Sequence, residues 1–181
     1  MAGEHGDTDL VLAMPRRELF AVSGFVTRVE MRVIESLAEE SWYAVPSMIH
    51  ADLEAKEVRI GLLVEAADRL LLAGDGVLLH VAAIPPGTEQ FGPGLYGVRE
   101  LARAAAQTLL AHGRPVIELL GYFNDDALPE AREYFVLVYR VRAAADTPPP
   151  HGMQWVDRAG IGEVPLDAVS SVVAAAAWGA G

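Results

Sequence analysis

Glu100, Arg103 and Gln107 fall three and four residues apart in the middle of this 181-residue chain, so a helix would carry them on one face. A carboxylate, a guanidinium and an amide so placed could hold an anionic group. Equally, Glu100 and Arg103 could form a surface ion pair of little energetic consequence. The densest acidic run follows at Asn124, Asp125 and Asp126, with Glu130 and Glu133 close behind. Such oxygens suit a hard cation, but the run lacks the alternating spacing and the glycine of a calcium loop. Asn-Asp-Asp is also ordinary turn composition. The five histidines include no H-x3-H pair, and His80 sits in an apolar run where it reads as a hydrogen-bonded core residue. No G-x-S-x-G occurs, and with Lys56 as the single lysine no phosphate-binding G-x-x-x-x-G-K-[ST] is present. The glycines at 92, 94 and 97 could still present backbone amides to an anion ahead of a helix.

The elements that must position these groups follow from periodicity. Residues 98–112 predict a helix with an apolar stripe at Val98, Leu101, Ala105 and Leu109, stopped by Gly113 and Pro115. Strands are expected over 9–14, 58–64, 69–72, 77–84, 116–123, 134–142 and 153–156, with the 77–84 run apolar enough to be buried on both faces. An N-terminal helix is expected over 26–40 and an apolar C-terminal helix over 166–178. Residues 41–52 read as irregular, because Pro46 argues against a continuing helix. The arrangement is a mixed α/β domain.

Composition narrows the function classes. Fifty-two per cent of residues are hydrophobic, which excludes a mostly disordered chain. A net charge of −11 repels phosphate backbones, so general nucleic-acid binding is not expected. The absence of cysteine removes disulfides and thiolate chemistry. No stretch is apolar for long enough to span a bilayer, and residues 1–9 lack the apolar core of a signal peptide. A soluble, cytoplasmic protein is expected.

Several segments, in order, resemble a bacterial branch of the Nudix hydrolases: residues 11–20 (VLAMPRRELF), 42–46 (WYAVP), 58–72, 119–125 (LLGYFND), 133–141 (EYFVLVYRV) and 152–156 (GMQWV). The resemblance implies a Nudix-type α/β/α sandwich with a mixed sheet and an N-terminal strand-helix extension. On that division, 1–8 is a flexible terminus, 9–57 the extension and 58–181 the Nudix-like domain. In that family the box G-x5-E-x7-REUxEExGU, with U apolar, places glutamates on one helical face to hold divalent metal over a diphosphate. Aligned on Gly113, its REUxEE segment falls on residues 106–111 (AQTLLA), so the arginine becomes Ala106, the first glutamate Gln107 and the adjacent pair Leu110 and Ala111. None of these side chains is a carboxylate for Mg²⁺. Towards the front of the box two registers are open. Strict counting from Gly113 gives Gly92 as its first glycine and puts Val98 at the box glutamate. Residues 81–89 (VAAIPPGTE) instead resemble the approach to the helix, with Glu89 as that glutamate, and this is the preferred reading.

The expectation is a Nudix-fold protein with a degenerate box and no pyrophosphohydrolase activity, acting as a ligand-binding or regulatory module without a cofactor. Arg103, Gln107, Asn124 and Asp125 are candidates to contact a small nucleotide-like ligand. The alternative is an active hydrolase of a nucleoside-diphosphate-linked substrate, with Mg²⁺ held by non-standard ligands among Glu89, Glu100, Asp125 or Asp126, and Glu89 and Glu100 the catalytic candidates. A homodimer through the C-terminal helix or a neighbouring strand is also expected.

Overall fold

The computed structural model describes residues 9–19, 23–27, 30–74, 76–88, 95–111 and 113–178. Its backbone is organised by β4 (Ala55–Ala66), whose twelve residues alternate so that Lys56, Val58, Ile60, Leu62 and Val64 face one way. Along one edge, β4 pairs in parallel with β8 (Tyr134–Arg142), from Glu57↔Tyr134 to Glu65↔Arg142. β8 in turn pairs antiparallel with β7 (Val116–Asn124), and β7 with the short edge strand β2 (Gly24–Val26). The other edge of β4 carries three antiparallel partners in succession. These are β1 (Val11–Pro15), β6 (Leu79–Ala83) and β5 (Arg69–Ala73). β3 (Trp42–Ala44) continues from β1, and β9 (Met153–Asp157) from β5. The nine described strands form one mixed sheet.

One face of the sheet is covered by α1 (Met31–Glu40) and α3 (Tyr96–Leu110), which bury Val33, Leu37, Val98, Ala102, Ala106 and Leu110 against the alternating β4 residues. Tyr122 and Tyr139 are fully buried on this face, and among the described residues their hydroxyls have no hydrogen-bond partner. The other face is covered by α4 (Ala168–Trp178), whose Val173 and Ala174 pack with Phe25, Leu63, Leu79, Phe123 and Val138. The result is an α/β/α sandwich with a mixed sheet, as expected. β4 begins at Ala55, and β1 and β3 belong to the same sheet as the strands beyond residue 58.

Several local expectations change. The 26–40 helix is shorter: Phe25 and Val26 match helical spacing with Val33, yet they pair with Phe123 and Tyr122, and the helix starts at Met31. Residues 41–52 are ordered as β3 and α2 (Pro46–Ala51), with Pro46 at the first helical turn, where its missing N–H costs nothing. The 77–84 run is not buried on both faces: Leu79 packs under α4, but Val81 and Ala82 further along β6 are exposed. The helix expected over 98–112 spans 96–110 instead. The C-terminal helix starts at Ala168, where the Asp167 carboxylate accepts from the Ser170 N–H at 2.8 Å and from its hydroxyl at 2.7 Å. The Ser170 oxygen accepts in turn from the Leu78 N–H at 2.8 Å, tying α4 to the segment before β6.

Candidate functional site

The buried stripe of α3 runs through Val98, Ala102, Ala106 and Leu110, one turn of the helix apart each time, with Leu101, Ala105 and Leu109 only partly buried. This is rotated from the stripe that spacing predicts. The rotation turns two of the aligned box positions, Ala106 and Leu110, into the hydrophobic core. Gln107 points outward and is exposed. The helix ends at Leu110, so Ala111 lies beyond it in a left-handed conformation, φ 56°, donating its N–H to the Gln107 carbonyl at 2.9 Å. A residue at 111 therefore leaves the helical face altogether. Arg103 donates to both carboxylate oxygens of Glu100 on the outer side of α3, and among the described residues Gln107 makes no hydrogen bond to either. Glu89 lies outside the described residues.

The polar groups that are buried gather elsewhere, at the start of β4 and the end of β7. Lys56 is fully buried, and its Nζ donates to Asn124 Oδ1 at 2.5 Å and lies 2.7 Å from Asp126 Oδ1. The Arg16 guanidinium reaches the same Asp126 oxygen at 2.7 Å and donates to the Arg132 carbonyl at 3.0 Å. Asn124 donates its amide N–H to the Leu19 carbonyl at 3.4 Å. Burial pulls the Lys56 ammonium below its ordinary value, while the hydrogen bond and charge of Asp126 act in the opposite sense. Asp125 is not part of this cluster: its carboxylate accepts from the Ala127 N–H at 2.9 Å and closes the turn.

Alternation along β4 sends Glu57 to the opposite face from Lys56. There its fully buried carboxylate accepts from Arg59 Nε at 2.6 Å, and His50 Nε2 lies 2.9 Å away. The other imidazole nitrogen, Nδ1, lies 3.4 Å from Glu133 Oε2. The Arg59 guanidinium sits 3.7 Å above the Tyr134 ring, which also takes the edge of His50 at 5.5 Å. Beside these groups opens a cleft of about 250 Å³ lined by Arg16, His50, Asp52, Leu53, Arg132 and Glu133. It combines two guanidiniums, an imidazole and two carboxylates at a concave surface, an arrangement able to orient a small polar ligand.

Of the residues expected from sequence, Asn124 and Asp126 belong to the buried cluster at Lys56, and Glu133 lines the cleft beside it. Glu100, Arg103 and Gln107 stand apart on α3. Lys56 and Arg16 complete the cluster, with His50 and Glu57 on the opposite face of β4 beside the cleft. A strand begun at 55 would have placed Lys56 in register with Val58 and Ile60 on a buried face, which was the available signal. His80, expected as a core residue, is only partly buried. Burial of its ring holds it below the ordinary imidazole value, with the Leu71 backbone acting in the opposite sense, and among the described residues Nε2 has no hydrogen-bond partner. Among the described residues no three histidine, aspartate or glutamate side chains gather to hold a metal ion. The aligned box residues do not fit Mg²⁺ either, since Gln107, Leu110 and Ala111 supply no carboxylate.

No family model matches the sequence, and no curated protein does. The fold does match. Tm1382, a candidate Nudix hydrolase of known structure, superposes with a TM-score of 0.73 at 14% identity, over 94% of this chain and 99% of that one. A candidate oxidoreductase from Sinorhizobium meliloti 1021 aligns with a TM-score of 0.40 at 14% identity, over 66% of this chain and 39% of that one, and carries no weight. The chain thus has a Nudix-like fold. Among the described residues no helix is long and apolar enough to cross a membrane.

Proposed function

We propose that this chain is a Nudix-fold ligand-binding or regulatory module without pyrophosphohydrolase activity. The observation that carries this reading is the packing of α3: Ala106 and Leu110 are core residues, and the helix stops before Ala111. Metal-assisted attack on a diphosphate needs charge neutralisation and an activated water, and this helix offers neither. The ligand we assign is small, polar and nucleotide-like, held in the cleft beside Lys56, where Arg16 and Arg132 supply cationic donors. The net charge of −11 supports a small-molecule partner over a nucleic acid. In the same reading the chain works in the cytoplasm as a homodimer. Its contact would be the small outward residues of α4, Ala168, Ser171, Ala175 and Ala176, together with the adjacent edge strand β2.

The test is turnover of nucleotide sugars, dinucleotide polyphosphates and NADH with Mg²⁺ or Mn²⁺. No hydrolysis is expected, together with thermal stabilisation by at least one member of the panel that Arg16→Ala removes. Hydrolysis lost on Glu89→Gln or Glu100→Gln would establish the metal-dependent alternative instead. For the dimer, light scattering that returns the monomer mass of 19.4 kDa at high protein concentration sinks it.

A further inference from the structure

At the far end of β4 from the cleft, on the face covered by α4, three arginines converge on one carboxylate. Glu65, its side chain 11% exposed, accepts from Arg142 Nε at 3.1 Å and from an Arg158 terminal nitrogen at 3.0 Å. Arg140 approaches the same carboxylate only to 3.6 Å, outside hydrogen-bonding range. Arg140 is 23% exposed, and among the described residues it makes no hydrogen bond. Its Nε–H and that of Arg158 are buried without an acceptor. Among the described residues the one further anion in this network is Glu118, half exposed, 3.3 Å from Arg142. Three guanidiniums therefore face two carboxylates, in a chain whose overall charge is −11.

A local positive excess with orphaned donors is costly in an isolated protein, because an unmet buried N–H loses its full hydration. Arg140, the most buried of the three, lies within ion-pair range of Glu65, yet among the described residues its Nε–H has no hydrogen-bond acceptor. We propose that Arg140, Arg142 and Arg158 form a binding site for a phosphate-type oxyanion, with Glu65 fixing the orientation of the three side chains. Guanidiniums suit such a group because their planar forks meet its oxygens in pairs. Arg142 and Arg158 remain 50% and 34% exposed, which leaves the anion a route in from solvent. The site lies on the other face of the sheet from α3 and depends on neither the cleft nor the box helix.

The test is titration of the full-length protein with inorganic phosphate at low ionic strength, followed by calorimetry. Saturable binding is expected, weakened about tenfold in Arg140→Gln, the loss of one charge-assisted hydrogen bond. Arg142→Gln, at a more exposed position, should weaken it in the same direction and keeps the experiment decisive if the Arg140 variant folds poorly. Glu65→Gln should tighten binding, since it removes the competing charge. A parallel titration with adenosine monophosphate separates the sources: equal affinity assigns a free oxyanion, and tighter binding lost with the same arginine variants assigns the phosphoryl group of a larger ligand. Absence of saturable phosphate binding, or binding that both arginine variants retain in full, overturns the proposal.

Discussion

Gly121 lies so close beneath Val26 that a Cβ on it would stand 2.0 Å from the Val26 carbonyl oxygen. The close approach falls at the irregularity in the β7–β8 register between Leu119 and Gly121 and lets β2 seat on the sheet edge. The obstacle is backbone, so β2 must move if the glycine is replaced. At Gly61 a Cβ would instead meet side chains, Val136 Cγ1 at 2.8 Å and Leu79 Cδ1 at 2.9 Å, and those can shift. Gly61→Ala should cost about 1–2 kcal/mol, within the range for overpacking, and Gly121→Ala should cost more. Urea denaturation of the two variants checks the order; equal losses would show that β2 is not held where it is seen.

The left-handed Ala111 closes α3 at a cost that glycine does not carry. Ala111→Gly should raise stability by about 1 kcal/mol, a rise of about 2–4 °C in Tm for a chain of this length. Leu110→Glu should do the reverse, costing several kcal/mol by burying a carboxylate in an apolar core. Neither it nor Ala111→Glu should create Mg²⁺-dependent hydrolysis. Calorimetry and a phosphate-release assay read both outcomes.

Lys56 and Asp126 are unequal partners, since one is fully buried and the other is 48% exposed. Lys56→Met removes the buried charge and leaves Asp126 with Arg16 and water; the expected loss is about 1 kcal/mol or less. Asp126→Asn leaves the ammonium buried with fewer counter-charges, and the expected loss is about 2–3 kcal/mol. A reversed order in denaturant midpoints would show that Lys56 is held mainly by Asn124.

Burial raises the ionisation of Tyr122 and Tyr139 above the ordinary phenol value of 10.0. Phenols held neutral in the fold favour it at lower pH, and that contribution is lost as pH rises above 10.0. Absorbance titration should show these two tyrosines ionising only on unfolding. Because its hydroxyl is unpartnered, Tyr139→Phe should be neutral or stabilising by about 1 kcal/mol. On the acid side, His80 is held neutral below its ordinary 6.5, so the unfolded chain takes up the proton first and stability falls as pH drops below that value. His80→Gln should flatten this slope between about pH 7 and pH 5.

The centre of the fold is legible because its strands carry local signals. The run 134–142 reads as one strand and is β8 to the residue, and 116–124 differs by one position. At the N-terminal side, local signals conflict. Phe25 and Val26 fit a helical period until β7 supplies a better partner, and Pro46 reads as a breaker when it opens a helix. The site is less legible still. Asn124 could be singled out as a polar residue at a turn, but the ammonium it receives comes from 68 residues away. No period encodes that meeting; it follows from the parallel pairing of β4 with β8 and the return of β7.

Lys56 also bears on how the molecule meets amine-directed chemistry. It is the single lysine of the chain, and it has no exposed surface. Apart from an α-amino group, the folded surface therefore presents no primary amine to acylating reagents, to aldehydes or to enzymes that attach tags to lysine. Modification at Lys56 must wait for β4 to open, so the rate of acylation there becomes a clock for that opening. Binding in the neighbouring cleft would slow that clock, whatever the ligand proves to be.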